Sequence, residues 1–187
     1  MKRKNLLIIT VILCLGVLVF VGVNKTMDAF GWSNKNGFRE PEKTALKGKP
    51  MPEFEILLPD SVSHYNTNNI DKSKAVLLFY FRPDCPYCRL QMEDMIKGID
   101  ELKEIQICLV TPFPFGEMKS FYKEFQLNKY ANIIIGKDVS GEVGKYFEIG
   151  SVPYLAIYNQ DKLLKDVFIG SVPIEQIRQI VLTQANL

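Results

Sequence analysis

The period at which apolar residues recur changes along this chain, and the changes mark its elements. The longest apolar run is Leu6 to Val23, without a charge. It is apolar on every face, unlike the one-sided stripe of a helix packed on a core. As a helix it would be about 27 Å long at ~1.5 Å per residue, close to the hydrocarbon thickness of a bilayer. The next stretch, 24–47, is rich in Lys, Asn and Gly, lacks apolar periodicity and reads as a linker. From Gly48 to Leu187 the pattern is that of a folded domain. Glu53–Leu58 reads as a short strand and Pro59–Lys74 as turn-rich. Lys74–Arg82 reads as a strand buried on both faces. Cys88, Met92, Met95, Ile96, Ile99 and Leu102 make one helical stripe. Gln106–Thr111 predicts a strand, Glu117–Leu127 a helix, Asn132–Ile135 a short strand and Ser140–Phe147 a helix. Tyr154–Asn159 and Leu163–Ile169 predict a hairpin. Pro173 suits the start of a last helix whose apolar face is Ile174, Ile177, Ile180 and Val181. Strands alternating with helices and ending in a hairpin predict an α/β domain with a mixed central sheet.

Charge places the apolar run. Lys2, Arg3 and Lys4 precede it, within the basic terminus 1–5, and the positive-inside rule keeps them in the cytoplasm. The expectation is a single-pass signal anchor in the cytoplasmic membrane over 6–23, with residues 48–187 on the extracytoplasmic, periplasmic side. A cleaved signal peptide is the alternative; no Ala-x-Ala pattern follows the run. Lipid attachment at Cys14 is disfavoured by Leu13 before it. The net charge of +2 is small and the Lys/Arg residues are dispersed, so no nucleic-acid partner is expected.

The candidate chemistry is Cys85-Pro86-Tyr87-Cys88, directly after Ala75–Phe81 and directly before the helical stripe. A strand that delivers Cys-x-x-Cys to a helix N-terminus suits thiol–disulfide exchange. The helix end offers partial positive charge and unpaired N–H groups, which favour a thiolate, and the thiolate is the attacking species. Other readings of the motif are a structural disulfide and a metal site. The chain holds four Cys and one His, and no second Cys-x-x-Cys, so a four-ligand zinc site is poorly supported and no metal or cofactor is expected. Covalent haem needs His after the second Cys, where Arg89 stands.

These residues resemble the thioredoxin fold, and the domain is similar to its membrane-tethered TlpA/ResA-like branch. The resemblance covers roughly Lys47 to Leu187. It rests on Gly48-Lys49-Pro50-Met51-Pro52-Glu53-Phe54, on Leu78–Phe81 running into the cysteines, and on Gly150-Ser151-Val152-Pro153-Tyr154. It rests also on the long interval from Cys85 to Pro153, which has room for the strand–helix insert of that branch, here Asn132–Phe147. It implies a Cys85–Cys88 disulfide, catalysis by both cysteines and a cis bond before Pro153. It further implies a substrate-binding surface of Pro86, Tyr87, Val152 and Pro153. Implied partners are extracytoplasmic proteins with thiols or disulfides and a membrane electron donor or acceptor. One implied use is as a reductant in envelope protein or cytochrome c maturation.

The chain departs from its relatives in three places. Asp84 stands where thioredoxins carry Trp. Phe79 stands where thioredoxin has a buried Asp. The Pro-Tyr between the cysteines is the glutaredoxin pair. A peroxiredoxin-like enzyme is the rival within the related folds. Its motif needs Pro seven and Thr or Ser three before the Cys, where Leu78 and Arg82 stand. A binding module with a structural disulfide is the non-enzymatic rival. Cys108 reads as a buried inert thiol, His64 as a solvent-facing loop residue, and the Phe113/Phe115/Phe121/Tyr122/Phe125 cluster as packing. Arg82 and Asp84 flank the dithiol, placed to tune it, with solvated charges as the default reading.

Overall fold

Two runs of continuous burial, β3 (Ala75–Tyr80) and β4 (Ile105–Thr111), form the middle of the sheet. The structure is a computed structural model that describes residues 37–183. β3 and β4 pair in parallel with Leu78 opposite Cys108, and β5 (Ile133–Lys137) pairs in parallel with β4. β6 (Tyr154–Tyr158) lies antiparallel on the other side of β3, followed by β7 (Leu164–Ile169), also antiparallel. β1 (Glu55–Leu57) joins outside β5, and β2 (His64–Asn66) outside β1. The order is β2-β1-β5-β4-β3-β6-β7, a mixed sheet as expected.

Strand side chains alternate between faces, and the core divides accordingly. Leu77, Phe79 and Phe81 pack with Cys88, Met92 and Met95 of α1 (Pro86–Lys97), Phe121 of α2 (Phe115–Glu124) and Ile177 of α4 (Ile174–Leu182). Val76, Leu78 and Tyr80 face the other way, against Phe54, Phe147 and Val143 of α3 (Glu142–Tyr146). β5 and α3 are the strand and helix of the expected insert. A Cβ on Gly136 would fall 2.7 Å from Ile56, so glycine lets β1 lie close over β5.

The structure differs from the sequence reading in four places. The helical stripe is broken: α1 stops at Gly98, and Ile99–Leu102 is a 3-10 turn that still buries Leu102. A Cβ at Gly98 would stand 2.9 Å from the Ile174 side chain, so the glycine at the break also lets α4 come close. The segment read as turn-rich contains β2. His64 therefore sits in an edge strand, with Nδ1 2.8 Å from Glu55 of β1, rather than in a loop. α2 begins at Phe115 and ends at Glu124, because Gln126 turns into the left-handed region at φ 51°.

The fourth difference concerns the linker. Part of it is docked: Glu42 N–H donates to the Val167 carbonyl at 2.7 Å and Gly48 N–H to Leu164 O at 2.8 Å. Leu164 N–H returns to Lys49 O at 2.9 Å, Met51 N–H reaches Lys162 O at 2.8 Å, and Lys47 pairs with Asp166 at 2.7 Å. The compact unit begins at Glu40. Among the described residues no helix is long and apolar enough to cross a membrane; the run Leu6–Val23 lies outside them.

Candidate functional site: the Cys85–Cys88 dithiol and its groove

β3 delivers the dithiol. Phe81 N–H still bonds to Val110 O of the neighbouring strand, at 3.0 Å; then Arg82, Pro83 and Asp84 turn the chain. Cys85 closes the turn by donating its N–H to Arg82 O at 3.2 Å, and takes the N-cap position of α1 with extended backbone. Pro86 follows at the first helical position, where its missing N–H is no loss. Arg89 N–H donates back to Cys85 O at 3.0 Å, starting the helical ladder. Cys85 is thus half-buried at the helix mouth, and Cys88, one turn on, is fully buried with Met92 and Met95. Both are free thiols here.

Burial pushes the Cys88 thiol up to about 12, and the neighbouring Cys85 adds to the rise. A backbone hydrogen bond from Arg82 pulls the other way without reversing it. Cys85 Sγ lies 4.0 Å from the Val152 carbonyl oxygen, close enough for an S–H···O bond. The Val152–Pro153 peptide bond is cis, as the resemblance implies.

A groove of ≈ 550 Å³ opens beside the dithiol. Cys85, Pro86 and Val152 share its wall with Arg82, Asp84 and Phe113. Cys88 and Pro153 are buried behind it, and Tyr87 is exposed outside it. Phe79 is fully buried, so no acid stands at that position. Leu78 is likewise buried in β3. Cys108 is buried at the centre of β4 and its thiol is pushed up to about 12 by burial.

The sequence placed Arg82 and Asp84 beside the dithiol, but it did not show their pairing or the part of Phe113 and Lys137 in the far wall. Arg82 donates Nε to Asp84 Oδ1 at 3.0 Å and Nη2 to Oδ2 at 2.7 Å, and its guanidinium lies 4.9 Å from the centre of the Phe113 ring. The pairing raises Arg82 further and holds the Asp84 carboxyl below its usual range. Lys137 of β5 donates to Pro112 O at 3.2 Å and Phe113 O at 2.8 Å, fixing the loop that carries the ring. The signal was available: loops at the C-terminal ends of adjacent parallel strands gather at one edge, so the residues after Thr111 must lie beside those after Tyr80. Arg89 pairs with Glu124 of α2, donates to Pro83 O at 3.2 Å, and lies over Phe125. Of the other aromatics, Phe121 packs in tilted pairs with Phe81 and Phe125, and Phe115 and Tyr122 lie against the same core. Behind the groove the Tyr80 hydroxyl donates to Asp138 Oδ2 at 3.3 Å. Among the described residues no three His, Cys, Asp or Glu side chains are placed to hold a metal ion.

The sequence pattern that defines the AhpC/TSA family matches residues 47–167. The chain belongs to the AhpC/TSA family. Its fold is thioredoxin-like, as that membership and the sheet order require. The methylamine utilization protein MauD of Methylophilus methylotrophus is 24% identical over 114 residues, 61% of this chain and 51% of that protein. The chain spans about half the length of the curated relatives it matches. The exposed lipoprotein thioredoxin of Streptococcus pneumoniae superposes with a TM-score of 0.56 at 21% identity, over 68% of this chain and 96% of that one. The reduced 2-Cys peroxiredoxin of Plasmodium vivax gives 0.59 at 14% identity, over 73% and 80%. At these identities the likeness to both structures is one of fold.

Proposed function

We propose that this protein is a thiol–disulfide oxidoreductase that works outside the cytoplasm, held at the membrane by Leu6–Val23. It exchanges electrons between Cys85–Cys88 and the cysteines of partner proteins. The observation that carries this reading is the contrast between the two thiols: Cys85 half-buried at the groove, Cys88 fully buried one helical turn deeper. Such an arrangement separates an attacking sulfur from a resolving one.

In the reducing direction the Cys85 thiolate attacks one sulfur of a partner disulfide. The partner S–S bond breaks, a mixed disulfide forms, and the departing partner sulfur takes up a proton. Cys88 then gives its proton to water and attacks Cys85 Sγ, releasing the second partner sulfur, which is protonated in turn. Two electrons and two protons pass from the enzyme dithiol to the partner disulfide. The oxidising direction is the reverse. Val152 beside Cys85, with Pro86 and Tyr87, forms the surface a partner chain meets, and Pro153, buried behind Val152, shapes that loop. A membrane electron donor or acceptor restores the starting state, and reduction within envelope protein or cytochrome c maturation is the use we favour.

The test is a redox titration of the full chain in a mild detergent, with thiols counted at each step. A reversible two-electron transition between about −120 and −270 mV is expected. A bond that persists below about −300 mV would make the disulfide structural. A Cys88→Ser variant should trap partner proteins as mixed disulfides in cells. Turnover of hydrogen peroxide exceeding that of a protein disulfide would replace this reading with peroxide reduction.

A further inference from the structure

The loop between β3 and α1 places a cation and an anion next to the dithiol and immobilises both. Arg82 and Asp84 line the groove together with Cys85. Exposed ion pairs of long side chains usually contribute little to stability, because holding them in one geometry opposes the Coulomb gain. This pair is built otherwise. The guanidinium makes a two-pronged contact with the carboxylate and stacks over Phe113, whose backbone is held by Lys137. The arginine is half-exposed, so this fixation does little for the core.

We propose that Arg82 and Asp84 set the reduction potential of the Cys85–Cys88 couple, Arg82 favouring the dithiol and Asp84 the disulfide. Both act as positioning charges and neither reacts. The proposal rests on the reading that the pair is redox-active, and it specifies how that pair is poised.

The reason is an asymmetry between the two redox states. The reduced site can carry a thiolate, whereas the disulfide is uncharged. A fixed positive charge therefore stabilises only the reduced state and raises the potential; a strongly oxidising dithiol is one whose reduced form is stabilised. A fixed negative charge does the opposite. The Arg82 charge attracts both sulfurs when they ionise, which agrees with this direction. Three other charged or titratable side chains near the groove have partners of their own. Arg89 is paired with Glu124, Lys137 holds the Pro112 and Phe113 carbonyls, and Tyr80 donates to Asp138.

The experiment measures the equilibrium of the full chain with reduced and oxidised glutathione at fixed pH and low salt, for the parent and for Arg82→Gln, Asp84→Asn and Arg82→Lys. Arg82→Gln should shift the equilibrium toward disulfide about tenfold, which is ~30 mV more negative for a two-electron couple. Asp84→Asn should shift it severalfold toward the dithiol. Arg82→Lys keeps the charge without the fork and should fall between the parent and Arg82→Gln. The differences should shrink as salt is raised toward ~1 M, where screening reaches within about 3 Å. Opposite signs for the two neutralising variants are the decisive result, since a role in folding alone would move both the same way. Shifts of the same sign, or none, would overturn the proposal. A parent chain that fails to cycle in glutathione would instead overturn the proposed activity itself.

Discussion

Gln91 grips Val172 with both ends of its amide: Nε2 donates to the Val172 carbonyl at 3.1 Å, and Oε1 accepts the Val172 N–H at 2.6 Å. Gln91 lies one turn beyond Cys88 and is buried, so the helix that carries the dithiol is pinned to the loop between β7 and α4. Gln91→Leu keeps the volume but leaves a buried N–H and a buried carbonyl unpaired, at about 1–3 kcal/mol for each group. A matching fall in the unfolding free energy from urea melts is expected; unchanged stability would mean that water replaces the amide.

Alkylation should distinguish the two thiols. Cys88 has no solvent exposure, and with its thiol pushed up to about 12 it stays protonated at neutral pH. In reduced native protein, iodoacetamide should therefore label Cys85, and label Cys88 only after unfolding, as read by peptide mass spectrometry. Early label on Cys88 would reverse the assigned roles.

Alkaline pH should destabilise the reduced protein. Cys88 and Cys108 both sit near 12 in the fold and return to about 8.5 when the chain unfolds. Between those values the native state holds protons that the unfolded state has lost, so stability is fully present below about pH 8.5 and is lost as pH rises toward 12. The slope is up to ~1.4 kcal/mol per pH unit for each thiol. Urea melts of the reduced chain across this range should show the decline, and Cys108→Ala should lessen its slope.

Asp138 should matter for stability through what it accepts. Its Oδ2 takes the Tyr80 hydroxyl and, at 3.2 Å, the Gly144 N–H, inside the second half of the core. A Cβ at residue 144 would stand 2.7 Å from that hydroxyl, so the glycine makes room for the contact. Asp138→Ala should lower stability by about 1–3 kcal/mol, and Gly144→Ala should displace the Tyr80 ring. Thermal melts and near-ultraviolet circular dichroism of both variants provide the check.

What the sequence disclosed follows from the range of the forces involved. β3 and β4 were legible because strands buried on both faces leave continuous apolar runs, and Cys85-x-x-Cys88 because its spacing is local. The approach of Val152 to Cys85 came only with the family resemblance, since sixty-odd residues separate them. β2 escaped because three residues, one of them Asn66, carry no usable alternation and are held by pairing with β1. The close packing of Gly98 on Ile174, far away in sequence, appears only in the fold. The Arg82–Asp84–Phe113 wall needs the parallel pairing of β3 with β4 before its members can be seen as neighbours.

The ladder that residues 42–51 make along β7 has a bearing on how these molecules behave beside one another. A strand at the end of a sheet is a template on which another chain can add itself. Here that side of β7 is already occupied by the protein's own backbone. The opposite margin of the sheet is β2, three residues long with the His64–Glu55 pair exposed on it, a poor template for extension. Copies crowded on one surface would therefore meet through side chains rather than by merging their sheets. An expressed chain that starts at residue 52 would lose that protection on β7, and should self-associate at concentrations where the longer chain stays dispersed.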